Sequence, residues 1–148
     1  MKVYLDTSFL VSLFTLDVNS TVAVSIMQNS KGEHLISSYG ELEFVNALEL
    51  RVFRKEMSAE QAHAALKNFE DDLRCAVLQL CPLPELVFER ARQLSRRTTA
   101  RLGIRTADLL HVAAALELKA DWLYTFDQQQ RKLAKAIRLK VNATTNQD

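Results

Sequence analysis

A three-layer α/β/α sandwich around a central, mainly parallel sheet of four to five strands is the fold class this sequence predicts, and three observations predict it. Short β-rich apolar runs recur at Lys2-Val3-Tyr4-Leu5, His34-Leu35-Ile36-Ser37, Ala76–Leu80 and Trp122-Leu123-Tyr124. Segments of helical periodicity separate them, so successive strands are joined by crossovers and lie parallel. The composition, 48% hydrophobic over 148 residues with few Gly and Pro, suits one compact domain with a substantial core.

The first run ends at Asp6-Thr7-Ser8, residues that cap helices, and Phe9, Leu10, Leu13 and Phe14 then recur at helical spacing. A second helix follows from about Asn19 to Ser30, with Gly32 as its stop before the second strand. Helical pattern resumes from about Tyr39 to Arg54, and Ser58-Ala59-Glu60-Gln61 restarts it with a cap, giving a helical hairpin to about Leu73. The third strand is expected over Ala76–Leu80. Pro82 and Pro84 then break the chain before an Arg-rich helix from about Glu85 to Thr99, which Gly103 closes. Thr106 is the expected cap of an Ala-rich helix reaching Leu118, Asp127 the cap of a last helix, and Ile137–Val141 a fifth strand. The domain is expected over 1–142 and a flexible tail over 143–148.

Several function classes are excluded or left unsupported. No segment approaches the roughly 20 apolar residues of a membrane helix, and no signal-peptide pattern follows Met1, so a cytoplasmic location with no membrane partner is expected. Cys75 and Cys81 lack flanking His and are expected in or near the core. The net charge of +1 neither demands nor excludes nucleic acid, because phosphate binding depends on local clusters. There is no Gly-rich phosphate loop, no nucleophile elbow and no Cys/His metal spacing.

Carboxylates remain. Asp6 and Asp127 each follow an apolar strand, which places both at one edge of a parallel sheet. Asp108 lies in the first turn of a largely apolar helix opening onto that edge, and Glu43 sits in Leu42-Glu43-Phe44-Val45, where a charge needs a partner. Singly each has an ordinary explanation: Asp6 and Asp127 as helix caps, Asp108 as a complement to the helix dipole, Glu43 as the partner of a core Arg. Together they would repel one another unless cations neutralised them, and a hard-metal oxygen site is the economical account.

On these motifs the sequence resembles the PIN-domain family, and is most similar to the VapC-type toxins of bacterial toxin–antitoxin pairs. Tyr4-Leu5-Asp6-Thr7-Ser8-Phe9-Leu10 resembles the first family motif, and Ser37-Ser38 followed by Glu43 the second, with Glu41 as the rival position. Thr106-Ala107-Asp108-Leu109-Leu110-His111-Val112 resembles the third, and Tyr124-Thr125-Phe126-Asp127 the fourth. Gln128, Gln129 and Gln130 stand where some relatives carry a further acid, which bears on a second metal.

The resemblance implies a Mg2+- or Mn2+-dependent endoribonuclease, usually dimeric, held inactive by a cognate antitoxin. Asp6, Asp108 and Asp127 are then the expected metal ligands, with Glu43 as a ligand or as the base orienting water. Ser8 and Thr125 are expected to hold substrate or ordered water, and Arg101 and Arg105 to meet RNA phosphates. His111 is expected as a hydrogen-bonded packing residue, and Phe44, Phe53, Phe69 and Phe88 as core or dimer packing, with no base-stacking platform in view. An RNA-processing nuclease outside toxin–antitoxin pairs, and a non-catalytic scaffold binding RNA or protein, are the alternatives.

Overall fold

The computed structural model describes residues 1–144. Strand β1 (Lys2–Leu5) leads into helices α1 (Thr7–Phe14) and α2 (Ser20–Asn29), then β2 (Glu33–Ser37), α3 (Ser38–Phe53) and α4 (Ala59–Arg74). There follow β3 (Gln79–Cys81), α5 (Val87–Leu102), α6 (Thr106–Glu117), β4 (Trp122–Tyr124), α7 (Gln128–Ala136) and β5 (Lys140–Val141). The sheet has the order β3-β2-β1-β4-β5, and every pairing in it is parallel.

Alternation along the central strands builds two cores. Val3 and Leu5 face one side, where Phe9, Phe44 and Phe69 from α1, α3 and α4 pack. Tyr4 and Leu123 face the other, against Leu94 of α5, Val112 to Ala115 of α6 and Leu133 of α7. Phe44 and Phe69 have ring centroids 4.7 Å apart with Phe14 against both. Burying each of these rings contributes roughly 1.5–3 kcal/mol. The alanine run of α6 buries small side chains in this second core, beside Tyr4 and Leu123 of the sheet.

Several boundaries differ from the sequence reading. The third strand is Gln79–Cys81, because Cys75 ends α4 as its C-cap and Ala76 takes a left-handed turn (φ 57°) before pairing begins. That same turn corrects the expectation for the cysteines: Cys75 is exposed, and Cys81, on the edge strand, is only half-buried. The fifth strand shrinks to Lys140–Val141, since α7 runs on to Ala136 and Arg138 is left-handed (φ 62°). The Arg-rich helix begins at Val87 and not Glu85, and Thr106 is its successor's first helical residue, with Arg105 at the N-cap and no side-chain cap bond. Of the expected tail, Ala143 and Thr144 are half-buried, and 145–148 lie outside the described residues.

Two glycines carry conformations that a side chain resists. Gly32 (φ 138°) lets Glu33 N–H reach the Met1 carbonyl at 3.0 Å, aligning β2 on β1; a Cβ there would lie 2.4 Å from that carbonyl oxygen. Gly103 (φ 67°) ends α5 with open space around it. Gly32→Ala should therefore cost about 2 kcal/mol or more, from strain plus collision, and Gly103→Ala about 1 kcal/mol, from strain alone. Urea denaturation of both variants checks this order; equal losses would contradict it.

Candidate active site

Strand β1 is the point at which the strand order turns, with β2 on one side and β4 on the other, so the crevice beyond its carboxyl end is where a parallel sheet places ligands. Asp6 is the first residue past β1, and its N–H pairs with the Tyr124 carbonyl at 3.1 Å, extending the ladder by one step. Its side chain caps α1 by accepting from Phe9 N–H at 2.9 Å. It also accepts from Ser8 Oγ at 2.8 Å and from Thr125 Oγ1 at 2.7 Å. Asp6 is 0% exposed. Burial pushes its carboxyl above the usual range, against the opposing pull of His111 and of these donors.

Asp127 follows β4 and caps α7, its Oδ1 accepting from Gln129 N–H at 2.8 Å and Gln130 N–H at 3.0 Å. Asp108, in the first turn of α6, is 2% exposed. Arg105 joins the two: its Nε donates to Asp108 Oδ2 at 3.0 Å and its Nη2 to Asp127 Oδ2 at 3.1 Å. The left-handed residue Gly103 turns the chain out of α5 just before Arg105. These two carboxylates hold the guanidinium more firmly charged, although 66% of its side chain is exposed.

Glu43 enters from α3. Its Oε1 accepts from Thr7 Oγ1 at 2.7 Å and pairs closely with His111 Nε2, and its Oε2 accepts from Tyr39 OH at 3.1 Å. Burial alone would raise Glu43; the bonds and charge of His111, with Thr7 and Tyr39, outweigh it and hold the carboxyl below its usual range. The ring is fixed from behind, His111 Nδ1 lying 3.0 Å from Tyr4 OH, which itself lies 2.8 Å from Ser37 Oγ. Ser37 in turn caps α3 through Gly40 N–H at 3.0 Å. Burial and nearby Glu43 push the Tyr39 hydroxyl up to about 12, keeping it a donor.

All four predicted acids border one cavity of about 320 Å³, together with Thr7, Ser8, Arg105, His111 and Gln130. The ordinary roles and the convergence coexist: Asp6 and Asp127 are helix caps whose carboxylates also reach the cavity. Glu43 finds its partner in His111 instead of an Arg. Glu41 and Arg101 do not border the cavity, and Arg101 is exposed on the last turn of α5. Thr125 is fully buried behind the cavity, where its Oγ1 donates to Asp6 and accepts from Asp127 N–H at 2.9 Å, whereas Ser8 both binds Asp6 and borders the cavity.

Sequence reasoning missed Gln130 as part of the wall. It is 4% exposed, donates from Nε2 to Asp108 Oδ1 at 3.4 Å, and leaves its buried Oε1 without a partner. Gln130 shares the buried face of α7 with Leu133 and Ala134, and it is the contact with Asp108, across elements, that places it in the wall. Thr7, Tyr39 and Tyr4 were likewise recoverable only from contacts across elements.

The donor set is all oxygen and multiply anionic, with an orphaned amide oxygen beside it, which fits a hard divalent cation. Among the described residues no three His, Cys, Asp or Glu side chains are drawn together as an ion would hold them. The guanidinium of Arg105 occupies the bridging position between Asp108 and Asp127.

A fold and a cavity of this kind define a class before any particular protein. A family model for the PIN domain matches residues 3–136, and the chain belongs to the PIN-domain family. The fold is similar to that of solved VapC proteins. VapC20 from Mycobacterium tuberculosis, described as a sarcin-ricin loop cleaving toxin, aligns with TM-score 0.67 and 18% identity over 90% of this chain and 94% of that one. VapBC-1 from nontypeable Haemophilus influenzae aligns with TM-score 0.67 and 16% identity over 99% and 100%. VapBC2 from Rickettsia felis, solved with a DNA fragment from its promoter, aligns with TM-score 0.66 and 20% identity over 96% and 98%. No curated protein matches the sequence itself closely enough to count as a relative.

A carboxyl whose folded pKa is raised binds its proton more tightly when folded, so its ionisation costs stability as pH rises from the unfolded value, about 3.9 for Asp, through the folded one. Asn caps a helix about as well as Asp. Asp6→Asn should thus raise the melting midpoint measured at pH 7 in EDTA above that of wild type. The advantage should shrink as pH falls toward 4. A loss of midpoint that persists at every pH would show that the hydrogen bonds to Asp6 outweigh its desolvation.

Proposed function

We propose that this protein is a divalent-cation-dependent endoribonuclease of the VapC toxin type, which hydrolyses RNA phosphodiester bonds and is restrained by a cognate antitoxin. The observation that carries the reading is the convergence of Asp6, Glu43, Asp108 and Asp127 on one cavity at the switch point of a parallel sheet. With a divalent ion to activate it, water would be the attacking group, and no protein nucleophile is needed. A scaffold would have little need for four carboxylates bordering one cavity.

Asp6, Asp108 and Asp127 would hold Mg2+ or Mn2+. Such an ion, when bound, supplies a Lewis acid at the phosphodiester and a lowered pKa for water. Asp6 enters this role rigid, because Phe9 N–H, Ser8 and Thr125 fix both its oxygens. Glu43, held below its usual carboxyl range, is ionised near neutrality and accepts the proton of the attacking water, while Thr7, Tyr39 and His111 orient it. Arg105 is the group that must give way when a cation engages Asp108 and Asp127, and its exposed guanidinium then meets a phosphate oxygen of the RNA.

The partners follow from the same reading: RNA as substrate, an antitoxin protein as inhibitor, and a second copy of the chain. Support for the second copy comes from the large apolar side chains left on the surface, among them Phe53, Leu86 and Phe88.

Cleavage of total RNA by purified wild type with Mg2+, Mn2+ or EDTA tests the reading. Metal should be required, and Asp108→Asn or Asp127→Asn should lower the rate by more than about 100-fold in a chain that circular dichroism shows to be folded. Full activity of a folded Asp108→Asn variant, or cleavage insensitive to EDTA, would sink it. Independently of turnover, millimolar Mn2+ should raise the melting midpoint, a ligand at 100 times its Kd being worth about 2.7 kcal/mol. Light scattering at tens of micromolar should give the mass of a dimer; a monomer would remove the proposed self-association.

A further inference from the structure

A second hollow, of about 500 Å³, adjoins the carboxylate cavity and shares Ser8 and Asp127 with it as walls. Its size lies within the roughly 300–1,000 Å³ typical of small-ligand pockets. The floor is apolar, made by Val11 of α1, Ala47 and Leu50 of α3, and the ring of Phe126. That ring is held flat: it stacks on Phe9 at 5.4 Å between centroids with planes 10° apart, and its backbone N–H donates to Ser8 Oγ at 3.0 Å. Phe126 is half-buried, so one face lies on the core and the surface it leaves borders the hollow.

The polar rim is matched to a neutral ligand. Arg51 is spent on Asp17 at 3.9 Å and donates to Thr15 Oγ1 at 3.1 Å, and Arg54 and Glu56 stand on the rim with opposite charges. A second phosphate would find little net positive charge there. The amide of Asn19 borders the hollow and makes no capping bond at the start of α2, leaving a donor and an acceptor for a base edge.

We propose that this hollow is a nucleobase subsite, in which the base flanking the scissile phosphate stacks on Phe126. The proposal rests on the ribonuclease reading and adds to it where the substrate lies: the RNA runs from the carboxylate cavity over Ser8 and Asp127 onto α1 and α3. Stacking on an aromatic ring is tolerant of base identity and requires an unpaired nucleotide, so the subsite selects single-stranded RNA.

The test is binding, read without cleavage: fluorescence anisotropy of a labelled single-stranded heptaribonucleotide pool of randomised sequence, in EDTA. Phe126→Leu, which keeps packing on Phe9 and removes the aromatic face, should raise Kd about tenfold. Phe126→Tyr should bind within about twofold of wild type, and the same pool made abasic should bind wild type as weakly as intact RNA binds Phe126→Leu. Ala47→Leu, which fills the hollow and leaves the ring in place, should weaken binding similarly and covers the case in which Phe126→Leu does not fold. An unchanged Kd in folded Phe126→Leu and Ala47→Leu, an abasic pool that binds as well as intact RNA, or no RNA binding by wild type would each overturn the subsite. Metal-dependent cleavage by wild type reports separately on the nuclease: cleavage with unchanged Kd values removes the subsite alone, and aromatic-dependent binding without cleavage removes the nuclease alone.

Discussion

Negative charge confined to a small, half-dry space is the constraint around which this structure is organised. Asp6, Glu43, Asp108 and Asp127 border a cavity of about 320 Å³, and Asp6 and Asp108 are almost wholly shielded from water. Burial raises the cost of ionising a carboxylate, and for Asp6 it is burial that raises it. The protein answers with fixed partners for each: backbone N–H groups and hydroxyls at Asp6, helix N-termini at Asp6 and Asp127, Arg105 between Asp108 and Asp127, and His111 at Glu43. The residual mismatch is visible in the raised Asp6 carboxyl.

The helix starts do two things at once. A carboxylate at a helix N-terminus is stabilised by the exposed N–H groups and the dipole of the first turn. In a parallel sheet those same N-termini, following β1 and β4, open on one edge. Capping therefore brings two acids to the crevice and offsets part of the cost of burying Asp6, and the α6 N-terminus adds Asp108 from the side. Glu43 is the exception, since it stands in mid-helix and depends on a chain of bonds through His111 and Tyr4 to Ser37, which crosses from one core to the other.

Under the proposed function, Arg105 would be the hinge between resting and working charge states. Paired with two carboxylates it supplies the compensation that the folded chain needs by itself; turned outward, the same guanidinium is a bidentate donor suited to phosphate. Its large exposure gives it room for both arrangements, while Asp108 and Asp127 stay anchored by α6 and α7.

Much was settled by sequence alone. Periodicity and strand runs determined the layered parallel fold, and strand-end position singled out Asp6 and Asp127, because a residue leaving a parallel strand has one direction in which to go. The motif around Asp108 pointed to the same edge. Local signals were weaker where a turn depends on one left-handed residue: Ala76 and Arg138 shortened two strands and brought Cys75 to the surface. What only the tertiary structure decided are the relations across elements: that Glu43 and not Glu41 turns to the cavity, that Thr125 lies behind Asp6, that Arg105 spans two acids, and that Gln130 completes the wall. Phe126, between two motif residues, gave no sign of being a platform until Phe9 was seen beneath it. Apart from Arg105 to Asp108, three positions apart, such contacts join residues more than 20 and up to 119 positions apart, as from Asp108 to Gln130 and from Asp6 to Thr125. Helical and strand periods carry no information at that range, and only the packing of the two cores brings these side chains within reach.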